Sequence, residues 1–130
     1  MQNKSDSLRD FATLVASRRD WIETVLKPWC ERANRRDLLL TEGEWTDLAG
    51  RADPAKTLWH WAWSRFPKLL SEGLHGMNET QQVVVTCHDG RTACGYPDSR
   101  LSTGGQLYLI REDGQTDGPF SIDDIESVSA

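Results

Sequence analysis

The sequence predicts an α+β protein in which a tryptophan-rich helical bundle, residues 1–75, packs against a small acidic β-barrel, residues 80–130. All six tryptophans lie in the first region, whereas the second region holds short β-branched runs separated by turn residues. The charge divides in the same way, with 12 basic and 11 acidic side chains up to residue 75 but 3 basic and 9 acidic ones from residue 76 onward. The two regions therefore differ in both structure type and charge.

The composition excludes several classes of protein. The net charge is −5. No apolar run of about 18 residues occurs and the N-terminal residues are polar, so we expect a cytoplasmic protein with no signal peptide and no membrane partner. Cys30, Cys87 and Cys94 are odd in number and lack CxxC spacing, which is typical of reduced, buried thiols. We therefore expect no metal and no cofactor.

Apolar residues at helical spacing predict one helix or two between residues 7 and 34, with Pro28 as the point where a second helix would kink or end. A capping box from Thr41 to Glu44 predicts a short helix that stops at Gly50. Asp53, which precedes a proline, predicts the start of the next helix, and we expect that helix to continue to about residue 70.

Three alternating tryptophans, Trp59, Trp61 and Trp63, fit the period of a strand as well as that of a helix. The helix start before them favours a helix, which would bury Trp59, Trp63 and Phe66 on one face and leave Trp61 on another. An aromatic platform for a nucleobase or a proline-rich peptide is the functional alternative. Core packing is the preferred interpretation, because large aromatic side chains are more often buried than used for recognition.

Turn signals divide the second region into strands. Asp89-Gly90 predicts a hairpin, and the register that places His88 opposite Arg91 puts Cys94 on the core face. That face is expected to hold Val83, Val85, Cys87 and Cys94. Further strands are expected at residues 106–111, 119–122 and 125–128. Short, strongly bent strands within about 50 residues favour a closed barrel over an open sheet.

The second region resembles a family of small barrels. The resemblance is carried by Val83-Val84-Val85-Thr86-x-x-Asp89-Gly90-Arg91, then Gly95, then Leu107-Tyr108-Leu109, then Ser121-Ile122-Asp123-Asp124-Ile125-x-x-Val128. Over residues 81–128 this pattern resembles SH3-like and Sm-like barrels, and it is most similar to the Rho-binding antiterminator group. Sm-like proteins proper bind RNA, but three arginines among nine acids argue against RNA binding by this barrel. The resemblance implies a protein partner, including one with a basic nucleic-acid channel.

A shorter stretch, residues 107–125, is similar to the opening of GYF-type modules. The likeness is carried by Gly118-Pro119-Phe120 after a Tyr-Leu strand. In that family the Gly-Pro-Phe stretch belongs to an aromatic surface for proline-rich peptides. No tryptophan follows the motif here, so we interpret it as similar hairpin chemistry.

The function expected from these observations is non-catalytic binding of a protein partner, with a regulatory role as one form of it. The expected contact residues combine aromatic and charged side chains of the second region: Tyr96, Asp98, Arg100, Tyr108 and Phe120. No P-loop, Gly-x-Ser-x-Gly or Gly-x-Gly-x-x-Gly motif occurs, so we expect no enzyme and no catalytic residue.

Two alternatives remain open from the sequence. Residues 41–70 outline a helix-turn-helix in which Lys56, Arg65 and Lys68 would contact nucleic acid, although the second helix would project tryptophans where polar side chains are needed. Unpaired strand edges would suit a subunit of a homo-oligomeric assembly.

Overall fold

The computed structural model describes residues 16–71 and 76–130, so the predicted beginning of the first helix lies outside the described residues. Within these stretches the chain forms helices in its first half and one antiparallel sheet in its second half, which confirms the α+β class. No helix in the described stretches has the length and apolarity needed to cross a bilayer.

Helix α1 covers residues 16–32 and continues through Pro28. Its middle, Ile22–Leu26, is π-helical, and Lys27–Arg32 is α-helical. A proline has no N–H to donate, and its ring crowds the carbonyl four residues earlier. The wider π turn accommodates that ring, so the helix does not end at the proline. The described part is therefore one helix, and it ends two residues before the expected residue 34.

Helix α2, Arg35–Gly43, lies where the sequence predicted no helix. Asn34 caps it, because the Asn34 Oδ1 accepts the Asp37 backbone N–H at 2.8 Å. Thr41 lies inside this helix and donates its hydroxyl to the Asp37 carbonyl at 2.8 Å. The predicted capping box that begins at Thr41 was therefore wrong.

Helices α3, Trp45–Ala49, and α4, Leu58–Trp63, are shorter than predicted. The first ends at Gly50, whose φ of +71° suits a glycine at a helix end. The Asp53 Oδ1 accepts a backbone N–H at 3.0 Å, but the four residues after Asp53 form turns and α4 begins only after them. A separate 3₁₀ turn, Pro67–Leu69, follows α4, so the prediction of one helix up to residue 70 was wrong.

Five strands form the sheet: β1 Val83–Cys87, β2 Thr92–Pro97, β3 Gln106–Ile110, β4 Thr116–Ser121 and β5 Ile125–Ser129. Their order is β4-β3-β2-β1-β5, so four strands form a meander and the fifth returns to pair with the first. In the described residues β4 and β5 stand at opposite ends of this order and do not pair. The predicted closure of the barrel was therefore wrong.

The β1–β2 hairpin differs by one residue from its predicted register. Val85 pairs with Ala93, and the Cys87 N–H donates to the Arg91 carbonyl at 2.8 Å. Shifting a strand by one residue turns its side chains to the opposite face. Ala93 is consequently buried and Cys94 exposed, so the prediction of Cys94 in the core was wrong.

Strand β2 changes partner at Gly95: up to this residue it pairs with β1, and after it with β3. A Cβ atom at Gly95 would lie 2.7 Å from the Ile110 carbonyl oxygen. Only a glycine fits at this close approach of β2 to β3.

One hydrophobic core joins the helices to the sheet. At the junction, a Cβ atom on Gly105 would lie 2.9 Å from Cζ3 of Trp59, and Gly105 has a φ of +79°. The Arg35 backbone N–H also donates to the Asp123 Oδ1 at 2.8 Å. Helix α4 and the start of α2 are therefore held directly against the loops of the β region.

Candidate functional site

A cleft of about 550 Å³ opens where the helices meet the loop between β2 and β3. Helix α2, the chain between Ala55 and Trp63, and the bridge between Leu70 and Met77 form its other sides. Pockets of about 300–1,000 Å³ are typical of ligand sites. This cleft is therefore the candidate functional site, with space for one large side chain or a small molecule.

Two indoles form the apolar floor of the cleft. Trp59 and Trp63 lie one helical turn apart on α4, so they point to the same side. They are only 6% and 4% exposed, as predicted for core residues. Leu70 and Met77 extend the floor. The same rings thus contribute to the core and present part of their surface to the cleft.

Glu42 places a carboxylate against this apolar floor. It is half-buried near the end of α2, and its Oε2 accepts the indole N–H of Trp59 at 2.5 Å. This bond joins two elements 17 residues apart in the sequence and fixes the position of the carboxylate. A carboxylate has several lone pairs, so one donor does not exhaust its capacity to accept hydrogen bonds.

The loop between β2 and β3 forms the polar wall, and it is internally bonded. The Asp98 Oδ1 accepts the backbone N–H groups of Arg100 at 3.1 Å and Leu101 at 3.2 Å. The Ser102 hydroxyl oxygen accepts the backbone N–H of Tyr108 at 2.8 Å. These bonds join the loop to itself and to β3.

Arg35 ties the far end of this loop to α2. Its Nε donates to the Gly104 carbonyl at 2.7 Å. Leu39, one helical turn further along, lies at 3.8 Å from the place that a Cβ atom on Gly104 would occupy, and it is 36% exposed. Leu101 on the same loop is 47% exposed. Apolar side chains therefore face solvent on the elements that border the cleft.

The predicted protein-contact residues do not form one exposed surface. Phe120 is 7% exposed and belongs to the core, and Asp98 is 8% exposed because it caps its own turn. Their burial removes these two from a contact surface. Tyr96 and Tyr108 are half-buried and Arg100 is exposed, so a contact role for these three stays a prediction.

Two of the residues predicted for nucleic-acid binding, Lys56 and Arg65, line different clefts, and a nucleic-acid contact by the three residues stays a prediction. Lys56 lines the cleft and Lys68 is exposed on the 3₁₀ turn. Arg65 faces a second, open cleft, and its Nη2 donates to the carbonyls of Cys30 at 2.9 Å and Ala33 at 2.8 Å. Arg65 thus satisfies carbonyl groups at the C-terminal end of α1. Donors engaged in these bonds are not free to bind a phosphate.

Cysteine chemistry does not contribute to the cleft. Burial raises the pKa of the Cys30 thiol to about 11, and it also raises the pKa of Cys87. Raised thiol pKa values are typical of structural cysteines and not of nucleophiles. In residues 16–71 and 76–130 no three His, Cys, Asp or Glu side chains converge as a metal site requires. The absence of metal and cofactor remains a prediction.

Glu42 is the site residue that sequence reasoning missed. It follows Leu39 by three residues, which places both on one side of a helix. That signal becomes readable only once α2 is recognised from its Asn34 cap. The partner of Glu42, the Trp59 N–H, depends on tertiary packing and has no local signal.

Comparison of the chain with models of known protein families, with curated proteins and with solved structures gives no match.

Proposed function

We propose that this protein is a non-catalytic binding module that takes an anchor side chain of a protein partner into the indole-floored cleft. The observation that carries the proposal is the cleft itself, with its apolar floor, the fixed carboxylate of Glu42 and its bonded wall. Interfaces concentrate their binding energy where one side chain fills such a pocket and water is excluded around it.

Two further features support a protein partner. The exposed Leu39 and Leu101 lie on elements that border the cleft, so a partner would bury apolar surface around its anchor. The loop wall is held by Asp98, Ser102 and Arg35, so little conformational entropy is lost on binding. A regulatory role is one use of such binding.

Selection of peptides displayed on phage tests this proposal, with two tryptophan variants as probes. Ala55 is an exposed residue of the cleft, so Ala55→Trp fills the cleft from its edge and leaves the core in place. Ala52→Trp adds the same side chain at an exposed position that does not line the cleft. Circular dichroism melts confirm that both variants are folded.

We expect peptides that bind the native protein and Ala52→Trp equally, and that bind Ala55→Trp at least about tenfold more weakly, a loss of about 1.4 kcal/mol. Selected peptides whose affinity does not change in Ala55→Trp would contradict the proposal. A selection that enriches no binding peptide would also contradict it.

We propose in addition that the β region is an SH3-like or Sm-like small barrel in an open form. The meander with a fifth strand paired to the first, and the close approach of Gly95 to β3, support this. The buried thiols of Cys30 and Cys87, which lie in no disulfide, support a reducing, cytoplasmic compartment.

A further inference from the structure

Resting on the proposed function, we propose that the anchor in the cleft is an arginine side chain of the partner, held between the Glu42 carboxylate and the parts of the two indoles that line the cleft. An arginine side chain combines an apolar stem, a planar face and a fork of N–H donors. The cleft offers a complement to each of these three features.

The first complement is the carboxylate. Glu42 is half-buried, and its Oε2 already accepts the Trp59 indole N–H. In the described part of the chain the ion pairs involve Glu23, Asp89 and Asp113, and Glu42 forms none. A carboxylate gains more from a charged donor than from a neutral one, because charge-assisted hydrogen bonds are about twice as strong as neutral ones.

The second complement is aromatic. Trp59 and Trp63 line the same cleft as Glu42. A guanidinium stacks on an indole face, and tryptophan is the strongest aromatic partner for a cation. Leu70 and Met77 provide apolar contacts for the stem of the side chain.

The ionisable groups that the described residues place around the cleft set the balance of this interaction. Lys56 and His60 line it, and Arg35 borders it, with its Nε directed to the Gly104 carbonyl. Lys56 is exposed and forms no ion pair within the described residues. Lys56 therefore opposes a cationic anchor, whereas the net charge of −5 for the whole chain favours one at longer range.

Two matched peptides test the inference. One is a short capped peptide with arginine between leucines, and the other carries citrulline, the neutral isostere, in place of arginine. Both are titrated into the native protein, and binding is followed by amide NMR shifts. Glu42→Gln keeps an oxygen that accepts the Trp59 N–H but removes the charge, and Lys56→Gln removes the opposing cation.

We expect the arginine peptide to bind about tenfold more tightly than the citrulline peptide, and Glu42→Gln to abolish that preference. Lys56→Gln should strengthen arginine binding about two- to fivefold and leave citrulline binding unchanged, since only the charged peptide is repelled. Salt should weaken the arginine peptide alone.

Equal affinities for the two peptides, or an arginine preference that survives in Glu42→Gln, would overturn the inference, as would the failure of both peptides to bind. None of these results affects the proposed function if phage selection still yields peptides that bind the native protein and bind Ala55→Trp more weakly. A failed display experiment would instead remove the proposed function itself.

Discussion

The helical region and the β region differ in how far along the sequence their most characteristic side-chain hydrogen bonds reach. In the helical region, side chains reach distant parts of the chain: the Trp45 indole N–H donates to the Thr57 hydroxyl at 3.1 Å, and the Arg65 guanidinium donates to the Ala33 carbonyl, 32 residues away. Apart from α1, the helices have only five to nine residues each, which is too few for an isolated helix to be stable. Tertiary contacts therefore determine this region.

In the β region most side-chain bonds join residues two to six positions apart, and the exceptions are the bonds from Ser99 to Glu79 and from Gln82 to Glu112. Asp89, Asp98 and Asp113 each accept the backbone N–H two residues further along through Oδ1, at 3.0, 3.1 and 3.0 Å. Each of these bonds forms a turn without help from another part of the chain. Local signals determine the turns of the β region, whereas the helical region depends on contacts between residues far apart in sequence.

Thiol labelling provides the largest contrast, because each region holds a buried cysteine and only the β region holds an exposed one. We expect Cys94 to react with a disulfide reagent in the native protein, and Cys30 and Cys87 to react at least about a thousandfold more slowly, since they need opening of the structure. Mass spectrometry of the labelled peptides measures the three rates. Fast reaction of Cys87 with protection of Cys94 would contradict the β1–β2 register.

The junction between the regions is tested by two glycines. Gly105→Ala places a Cβ atom 2.9 Å from Trp59 at a φ of +79°, so it combines backbone strain with overpacking. We expect a loss of about 3–4 kcal/mol in the free energy of unfolding, measured by urea denaturation. Gly114→Ala is the control, because its φ is +83° but nothing lies within 4 Å, and it should cost about 1–2 kcal/mol. Equal losses would show that the junction is loosely packed.

Alkaline pH should weaken the helical region through Cys30. Burial raises the pKa of this thiol from 9.0 to about 11, so the folded state keeps a proton that the unfolded state loses. The stabilisation is complete below pH 9 and decreases by about 1.4 kcal/mol per pH unit as the pH rises towards 11. Urea denaturation across this range, compared with Cys30→Ala, measures it. Parallel pH profiles for the two proteins would contradict the prediction.

Arg65 tests the long-range bonds of the helical region. Arg65→Met removes donors to the carbonyls of Ala62, Cys30 and Ala33 and should cost about 2 kcal/mol. Arg65→Lys should recover only part of this, because a lysine cannot reproduce the fork of donors. Arg32→Met is the control for loss of a nearby exposed arginine and should change stability by less than about 0.5 kcal/mol. Similar stabilities for Arg65→Met and Arg32→Met would contradict the assignment.

The difference between the regions also explains what the sequence could predict. The turns at Asp89-Gly90 and Asp113-Gly114 were predicted correctly, since each depends on adjacent residues. The register of the first hairpin was predicted wrongly. Asp89-Gly90 fits a two-residue loop as well as a three-residue loop, and the pairing of Cys87 with Arg91 selects the three-residue loop.

In the helical region the burial of Trp59, Trp63 and Phe66 followed from helical spacing. Helix α2 was missed although Asn34 followed by Asp37 gave a readable cap. The cleft could not be derived, because its parts come from four segments of the sequence that only the folded core brings together.

The distribution of the indoles has an optical consequence. All six tryptophans precede Ser64, so intrinsic emission reports on the helices and the cleft, whereas the sheet contributes only tyrosine. Two of the emitting rings form the floor of the cleft, so an occupant would change their environment directly. The native protein therefore carries its own spectroscopic probe of occupancy, without an added dye.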